Sequence, residues 1–330
     1  MTNEGDPTRA DEPTSTDGAT SPSGRKLVLP DGSQLATDPS DRTQRGRERT
    51  EEDERFVPVI VKRTDEIRRH PDDVLTSTIR EGLEQLERPA ASLMLSAVAA
   101  GLILGFSAMA AAIATVAASD AANPLAQRIA TAVVYPLGFV LCVVSGTELF
   151  TEHTATAVYP VLDRRSSASK LFRLWGLVAG GNLIGAMASS ALLLAADDTI
   201  GANAGYVEIG RHLTEYPART LFVSAVLAGW LMALGAWLIA ATPPAMSQII
   251  SIYIVTFLIG FGGLHHSIAG SVEIFAAWGA STDLSAWEMP RFIGIALVGN
   301  TVGGSVFVAV LNWAHIRKSR ESADPLVPST

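Results

Sequence analysis

Six apolar segments follow one another through most of this chain, and each is long enough to cross a lipid bilayer. They lie near residues 92–118, 129–160, 170–196, 217–242, 247–277 and 290–315. A hydrocarbon core of about 30 Å requires roughly 20 apolar residues per helical span. Because a helix satisfies its own backbone hydrogen bonds inside lipid, the pattern predicts an all-α polytopic membrane protein.

Charged side chains are concentrated outside this apolar part. Residues 1–90 contain 20 acidic and 14 basic side chains, of 33 and 25 in the whole chain of 330 residues. Soluble domains have roughly 25% charged residues, far more than the remaining body of this chain. This argues against a soluble enzyme. The lack of a basic excess argues against nucleic acid as a partner.

The chain divides into four predicted parts. Residues 1–70 are rich in Asp, Ser, Thr, Pro and Gly, which predicts a disordered acidic cytoplasmic tail. Residues 71–90 form an amphipathic helix, and its apolar pattern leaves open whether it lies along the membrane surface or packs beneath the body. A six-helix transmembrane channel domain, 91–316, and a short cytoplasmic C-terminal tail, 317–330, complete the prediction.

The charges in the connecting loops predict the orientation. Basic residues cluster after the second and sixth spans, at Arg164, Arg165, Lys170, Arg173, Arg317, Lys318 and Arg320. The loops after the other spans hold mainly acids, at Asp120, Asp197, Asp198, Glu208, Asp283 and Glu288. Since basic loops remain in the cytoplasm, both termini are predicted to be cytoplasmic, in a plasma (cytoplasmic) membrane.

A repeat relates the two halves of the body. Gly181-Asn182 of the third span recurs as Gly299-Asn300 of the sixth, and the same shift places Thr147-Glu148-Leu149 over His265-His266-Ser267. Each half would then have three spans with a broken middle one, and three is odd, so we expect the halves to be inverted. Inverted repeats with broken helices are typical of transporters and channels.

Polar residues interrupt the second and fifth spans, where ionisable groups are costly and usually functional. Only Glu148, Glu152 and Glu273 place a carboxylate well inside the predicted spans. The adjacent His265 and His266 point about 100° apart on a helix, and the single Cys142 excludes an intramolecular disulfide. We therefore expect no metal site and no cofactor.

The ordered set of motifs resembles the formate/nitrite transporter family over about 225 residues. Thr147-Glu148-Leu149-Phe150-Thr151 is similar to its broken-helix loop, and His266-Ser267-Ile268-Ala269 to its second-half signature. The resemblance implies an aquaporin-like hourglass in a homopentamer, with one pore per protomer, that moves small monovalent weak-acid anions. The chain departs from the family pattern at several positions, including Gly270, His265, Ile259, Gly229 and the Glu152-His153 pair.

The resemblance also implies roles for single residues. His266 would be the pore histidine, with Thr151 and Asn300 binding substrate and Leu149, Phe150, Phe139, Tyr135 and Ile259 lining the constrictions. From the residues themselves, we expect Glu148, Asn182 and Gly263 to structure the loops, with Glu148 accepting backbone N–H groups. Glu152 and His153 either pair with each other or act, like His265, as candidate gating groups.

An anion pays a high desolvation cost in a dry slit, whereas the neutral acid pays little. We therefore expect proton-linked transport through His266, because imidazole titrates near neutral pH. The alternative is a channel for water or another small neutral solute on the same hourglass plan.

Overall fold

The computed structural model describes residues 69–120, 123–282 and 284–323, with side chains described as far as Lys318. The predicted acidic tail, apart from its last two residues, lies outside this part of the chain, as do Asp283 and residues 324–330.

The described residues form helices and contain no strand. The helices are α1 (Pro71–Glu87), α2 (Ala90–Ala117), α3 (Pro124–Val134), α4 (Pro136–Ser145), α5 (Phe150–Thr156), α6 (Tyr159–Leu162), α7 (Ala168–Ala195), α8 (Asp197–Ile200), α9 (Asn203–Thr214), α10 (Ala218–Ala241), α11 (Ala245–Gly262), α12 (Ser267–Ala280), α13 (Glu288–Gly304) and α14 (Leu311–Ala323). A π-helical turn, Ser305–Val310, joins α13 to α14. Six of these runs are long and apolar enough to cross a membrane, with α3 and α4 counted as one and α13 to α14 as another.

The amphipathic helix α1 packs beneath the body instead of lying along the membrane surface. His70 caps its first turn through Nδ1, and Pro71 occupies the first helical position. Val74, Leu75 and Leu86 are each at most 3% exposed, and α1 contacts α5, α6, α7, α10 and α14. Its apolar face is therefore covered by protein rather than by lipid.

Two helix pairs make the most extensive contacts, α2 with α7 and α10 with α13. Glycines allow this close approach: a Cβ on Gly185 would lie 2.2 Å from the Val98 carbonyl oxygen, and one on Gly303 would lie 2.1 Å from that of Val226. Close helix contact at small residues is a usual way to pack helices in a membrane. The same device serves both halves of the body.

The last helix continues beyond the predicted end of the sixth span. The predicted tail begins at residue 317, and α14 extends through its first residues to Ala323. Ile316 is 2% exposed, the Arg317 guanidinium lies 5.1 Å from the centre of the Trp313 ring, and it reaches Asp163 at 3.7 Å. These contacts hold a polar helical end against the protein, which hydropathy alone does not indicate.

Candidate functional site

Two short loops interrupt the helices that the sequence predicts to be broken. The first separates α4 from α5, and the second separates α11 from α12. Each begins with a glycine in the left-handed region, Gly146 at φ +64° and Gly263 at φ +61°. Glycine adopts this conformation without the steric cost that a Cβ brings, so it ends each helix. Gly263, which the sequence predicts to structure the second loop, therefore ends α11 in the left-handed conformation.

Asn182 holds the first loop in place. Its Oδ1 accepts a hydrogen bond from the Phe150 backbone N–H at 2.8 Å. Its Nδ2 donates to the carbonyl oxygens of Ala97, at 2.8 Å, and Glu148, at 2.9 Å. Because Asn182 is fully buried, its amide replaces water as the partner of backbone groups that the broken helix leaves free.

Asn300 does the same in the second loop. Its Oδ1 accepts from the Ser267 N–H at 2.7 Å, and its Nδ2 donates to the carbonyl oxygens of Ala225, at 2.7 Å, and His265, at 3.1 Å. The sequence assigns Asn300 to substrate binding. In the structure its amide is occupied by backbone, so it structures the loop.

The register of the repeat differs by one residue from the one that the sequence indicates. The capping glycines and the Asn182 and Asn300 bonds align Glu148 with His265 and Leu149 with His266. In both loops, three residues separate the capping glycine from the first residue of the next helix. The second half has its extra residue between the loop and Asn300. Local hydrogen bonds therefore define the repeat better than the Gly-Asn spacing does.

His266 and Thr151 meet between the two loops. His266 Nε2 and Thr151 Oγ1 are 3.0 Å apart, and His266 Nδ1 accepts the Ala269 N–H at 3.1 Å. Since Nδ1 is an acceptor, the neutral ring has its proton on Nε2 and donates it to Thr151. Both side chains are at most 1% exposed. The predicted pore histidine is thus a buried hydrogen-bond donor.

Apolar side chains enclose this pair. The Phe139 ring lies 5.0 Å from His266, edge-on, and 5.3 Å from Tyr135. Ile259 lines the same cavity as Tyr135. Phe139, Leu149 and Glu152 line a second, small cavity of about 10 Å³. That volume is about the smallest that holds one water molecule. Phe150 is buried in the adjoining core.

A charged cluster joins α1 to the first loop. The Glu148 carboxylate accepts hydrogen bonds from the Arg88 guanidinium and from His153 Nε2. The sequence predicts that Glu148 structures the loop through backbone N–H groups and leaves open that Glu152 and His153 pair with each other. Instead His153 pairs with Glu148. Arg88, between α1 and α2, is a site residue that the sequence reading missed, although it is the base beside the first span.

Glu152 and Glu81 line cavities on the α1 side. Both border a cavity of about 160 Å³ beside the first loop, which we name the α1 cavity, and a neighbouring one of about 290 Å³. Surrounding protein atoms desolvate the Glu81 carboxyl and raise its pKa, and the nearby Glu148 and Glu84 add to the rise while His153 opposes it. Within the described residues, the Glu152 carboxyl makes no hydrogen bond and no ion pair.

A larger cavity of about 570 Å³, the α9 cavity, lies beyond Tyr135 and Ile259. Its lining includes Arg128, Glu208, His212, Gly263 and Glu273. His265 lies beside it and stacks on His212, with ring centres 6.4 Å apart and nearly parallel. His265 Nδ1 and Ser224 Oγ are 2.7 Å apart. The described part of the chain contains no group of three or more His, Cys, Asp or Glu residues placed to hold a metal ion.

The structure thus brings most predicted site residues into one connected series of contacts and cavities. The α9 cavity, the Tyr135 and Phe139 rings, the His266–Thr151 pair, Leu149 and the cavities at Glu152 follow one another. Glu273, at the wall of the α9 cavity, was noted in the sequence as a buried acid without being given a role.

Comparison with known proteins identifies the family of this chain. The family model of the formate/nitrite transporter matches residues 72–314. The chain is 33% identical over 246 residues to "Inner membrane protein YfdC" of Escherichia coli K12, which covers 72% of this chain and 76% of that protein. It is 25% identical to "Nitrite transporter NirC" of the same organism, covering 61% of this chain and 77% of that protein.

Solved structures show the same fold. An "FNT family ion channel" superposes with a TM-score of 0.65 at 20% identity, covering 74% of this chain and 99% of that one. A "Pentameric formate channel with formate bound" superposes with a TM-score of 0.59 at 20% identity, covering 69% and 98%. With the helices, the broken loops and the family match together, the chain belongs to the formate/nitrite transporter family.

Proposed function

We propose that this protein carries a small monovalent weak-acid anion, of the formate and nitrite class, across the plasma membrane. The observation that carries the proposal is the buried His266–Thr151 pair between two apolar constrictions, with a cavity at either end. A route that narrows to about one water molecule and offers polar atoms only at its centre suits a small solute. The family membership supports the same substrate class.

Transport is proton-linked in this proposal, because a bare anion loses its hydration in the constrictions and the neutral acid loses much less. His266 serves by donating its Nε2 hydrogen bond to a substrate oxygen, which replaces Thr151 Oγ1 as acceptor. To give up a proton as an imidazolium, the ring would need a hydrogen on Nδ1 as well. That nitrogen already accepts the Ala269 N–H. The bonding therefore supports His266 as a stabilising donor rather than as a proton source.

The wider arrangement is also part of the proposal. The protomers form a homopentamer with a pore in each, both termini are cytoplasmic, and the two halves are inverted around the constriction. A pentameric formate channel with the same fold and an inner-membrane relative support these statements. Exposed apolar side chains on the spans, among them Leu95, Phe172, Met187 and Val298, suit lipid or a neighbouring protomer.

Passage of a small neutral solute is the second candidate function. It is favoured by the carboxyls of Glu152 and Glu273, which line the cavities at the two ends of the constriction and repel anions when charged. We place Glu152, His153 and His265 as gating groups under either function.

Proteoliposomes test the two candidates side by side. Uptake of formate, nitrite, hydrosulfide and acetate is measured at neutral and at mildly acidic pH, with water and glycerol permeation followed by vesicle swelling. The proposal expects uptake of at least one weak acid, accompanied by protons and faster at acidic pH. Swelling without weak-acid uptake would establish the second candidate instead.

A further inference from the structure

Glu273 is a buried acid that has no role in the transport route proposed above. It lies on α12, its residue is 5% exposed, and it lines the α9 cavity together with Tyr135 and Ile259. Within the described residues its carboxyl makes no hydrogen bond and no ion pair. Buried polar groups normally have a partner, so an unpartnered one at a cavity wall indicates a partner that arrives from the cavity.

The groups that face Glu273 across the cavity do not neutralise it. They are Tyr135 and Arg128 on the α3 side and Glu208 and His212 on α9. Arg128 forms no ion pair with it within 4 Å, and His212 is already paired with Glu215 at 2.9 Å. The other helices that pack against α12 are α2, α5, α7 and α13, and α2 carries no ionisable side chain. The ionisable groups of the other three helices line other cavities or lie at helix ends. They are Glu152, His153, Lys170, Arg173, Glu288 and Arg291.

We propose that Glu273 is the proton donor that converts the substrate to its neutral acid before it enters the constriction. The inference rests on the proposed function and names the residue that supplies its proton. Enclosure without a partner disfavours a bare carboxylate, so the protonated side chain is the form that these surroundings accommodate. A carboxyl that stays protonated at neutral pH is a weaker acid than formic acid, so the transfer to formate is unfavourable by itself. The passage of the neutral acid into the constriction draws the transfer forward.

The step is a single proton transfer without change of oxidation state. An anion in the α9 cavity meets the Glu273 carboxyl; the O–H bond of Glu273 breaks, and an O–H bond forms on a substrate oxygen. The neutral acid then passes Tyr135 and Phe139 toward His266. Glu273 is left as a carboxylate and regains its proton from hydronium in the surrounding water. Water reaches the cavity because its rim includes exposed side chains such as Glu208, 68% exposed.

The hydrogen bonds at His266 and at Glu273 explain why the two residues have different roles. Both ring nitrogens of His266 are engaged, one by the Ala269 N–H and one by Thr151. Glu273 has neither oxygen engaged within the described residues. The proton therefore comes from the cavity wall, and the histidine stabilises the substrate after the transfer.

The test compares formate and proton uptake by purified wild-type protein, Glu273→Gln and Glu273→Asp in proteoliposomes. Glutamine keeps the shape of the side chain but cannot give up a proton. We expect Glu273→Gln to slow formate uptake by about 100-fold, the lower end of what a positioned acid contributes. Glu273→Asp should restore part of the rate. Glu208→Gln, which removes an exposed acid from the same cavity, is the matched control and should keep the wild-type rate.

A second measurement does not depend on transport. The infrared spectrum of the wild-type protein at neutral pH should contain a C=O band of a protonated carboxyl that is missing in Glu273→Gln, with both proteins eluting alike from a sizing column. An unchanged infrared spectrum would overturn the proposal, as would wild-type formate uptake by Glu273→Gln. If wild-type vesicles take up no weak acid at all, the proposed function fails and this inference with it, whereas loss in Glu208→Gln alone would assign the proton to Glu208.

Discussion

His266 Nε2 and Thr151 Oγ1 lie 3.0 Å apart, which joins the starting points of two half-helices from opposite halves of the chain. Thr151 belongs to α5 and His266 caps α12, so this one hydrogen bond connects both broken spans. The pair is fully enclosed by protein. A polar contact of this kind both holds the loops together and marks the centre of the route.

Replacing Thr151 with valine tests the pair. Valine keeps the shape of the side chain but removes the oxygen, which leaves the buried Nε2–H without an acceptor. We expect a loss of about 1–3 kcal/mol in the free energy of unfolding, measured by denaturation in detergent, and slower uptake of the transported acid. Thr301→Val is the control, because the Thr301 hydroxyl only bonds the Leu297 carbonyl of its own helix. Equal effects of the two variants would contradict the assigned role.

The two asparagines give a second prediction. Asn182→Ala and Asn300→Ala each remove three buried hydrogen bonds to backbone groups of a loop. We expect each to lower the free energy of unfolding by about 2–4 kcal/mol, since the loop groups stay unpaired. Thermal melting of the purified proteins measures this. If Asn300→Ala melts like wild type and only its transport is impaired, Asn300 binds substrate after all.

Close helix contact at Gly185 leads to a third prediction. A Cβ there would lie 2.2 Å from the Val98 carbonyl oxygen, whereas one at Gly180 of the same helix would have open space around it. Gly185→Ala should therefore force α2 and α7 apart and lower the melting temperature or the yield of folded protein. Gly180→Ala should be neutral or slightly stabilising, because alanine favours the helix. A stable Gly185→Ala with an unmoved α2 would be the opposite outcome.

The raised pKa of Glu81 predicts how the stability of α1 packing depends on pH. Glu81 is an exposed residue, so water screens its carboxyl and the effect is small. The protein atoms around the carboxyl still raise its folded pKa above its unfolded value. The stability linked to this group is complete below the unfolded pKa and is lost as the pH rises through the folded pKa. Glu81→Gln should thus raise the melting temperature at neutral pH, with no gain at acidic pH. A gain at acidic pH alone would refute this account.

Much of the fold could be read from the sequence because hydropathy, glycines and prolines act locally. The apolar runs give the six spans, and Gly146 and Gly263 indicate where two of them break. The sequence also singles out His266 and Thr151 through their motifs, and the structure places these two side chains in contact. Hydropathy does not indicate that α14 continues to Ala323, where Arg317 contacts Trp313 of the same helix and Asp163 from a distant part of the chain.

The features that could not be predicted from the sequence depend on contacts between residues that are far apart in the chain. The sequence suggests that Asn300 binds substrate, because a buried amide in an apolar span needs a polar partner. Only the structure shows that backbone groups of Ser267, Ala225 and His265 are those partners. Arg88 meets Glu148 over a long sequence separation. No spacing rule links two such positions. The proton-donor role of Glu273 likewise depends on which cavity its side chain lines.

Formate uptake into proteoliposomes by wild-type protein and His266→Leu, measured together with internal acidification, tests the central claim most directly. Leucine fills the same enclosed space but offers no hydrogen bond to a solute beside Thr151. We expect wild-type vesicles to take up formate with protons, faster at mildly acidic than at neutral pH. Folded His266→Leu should show only the rate of protein-free vesicles. Wild-type uptake by His266→Leu would contradict the account.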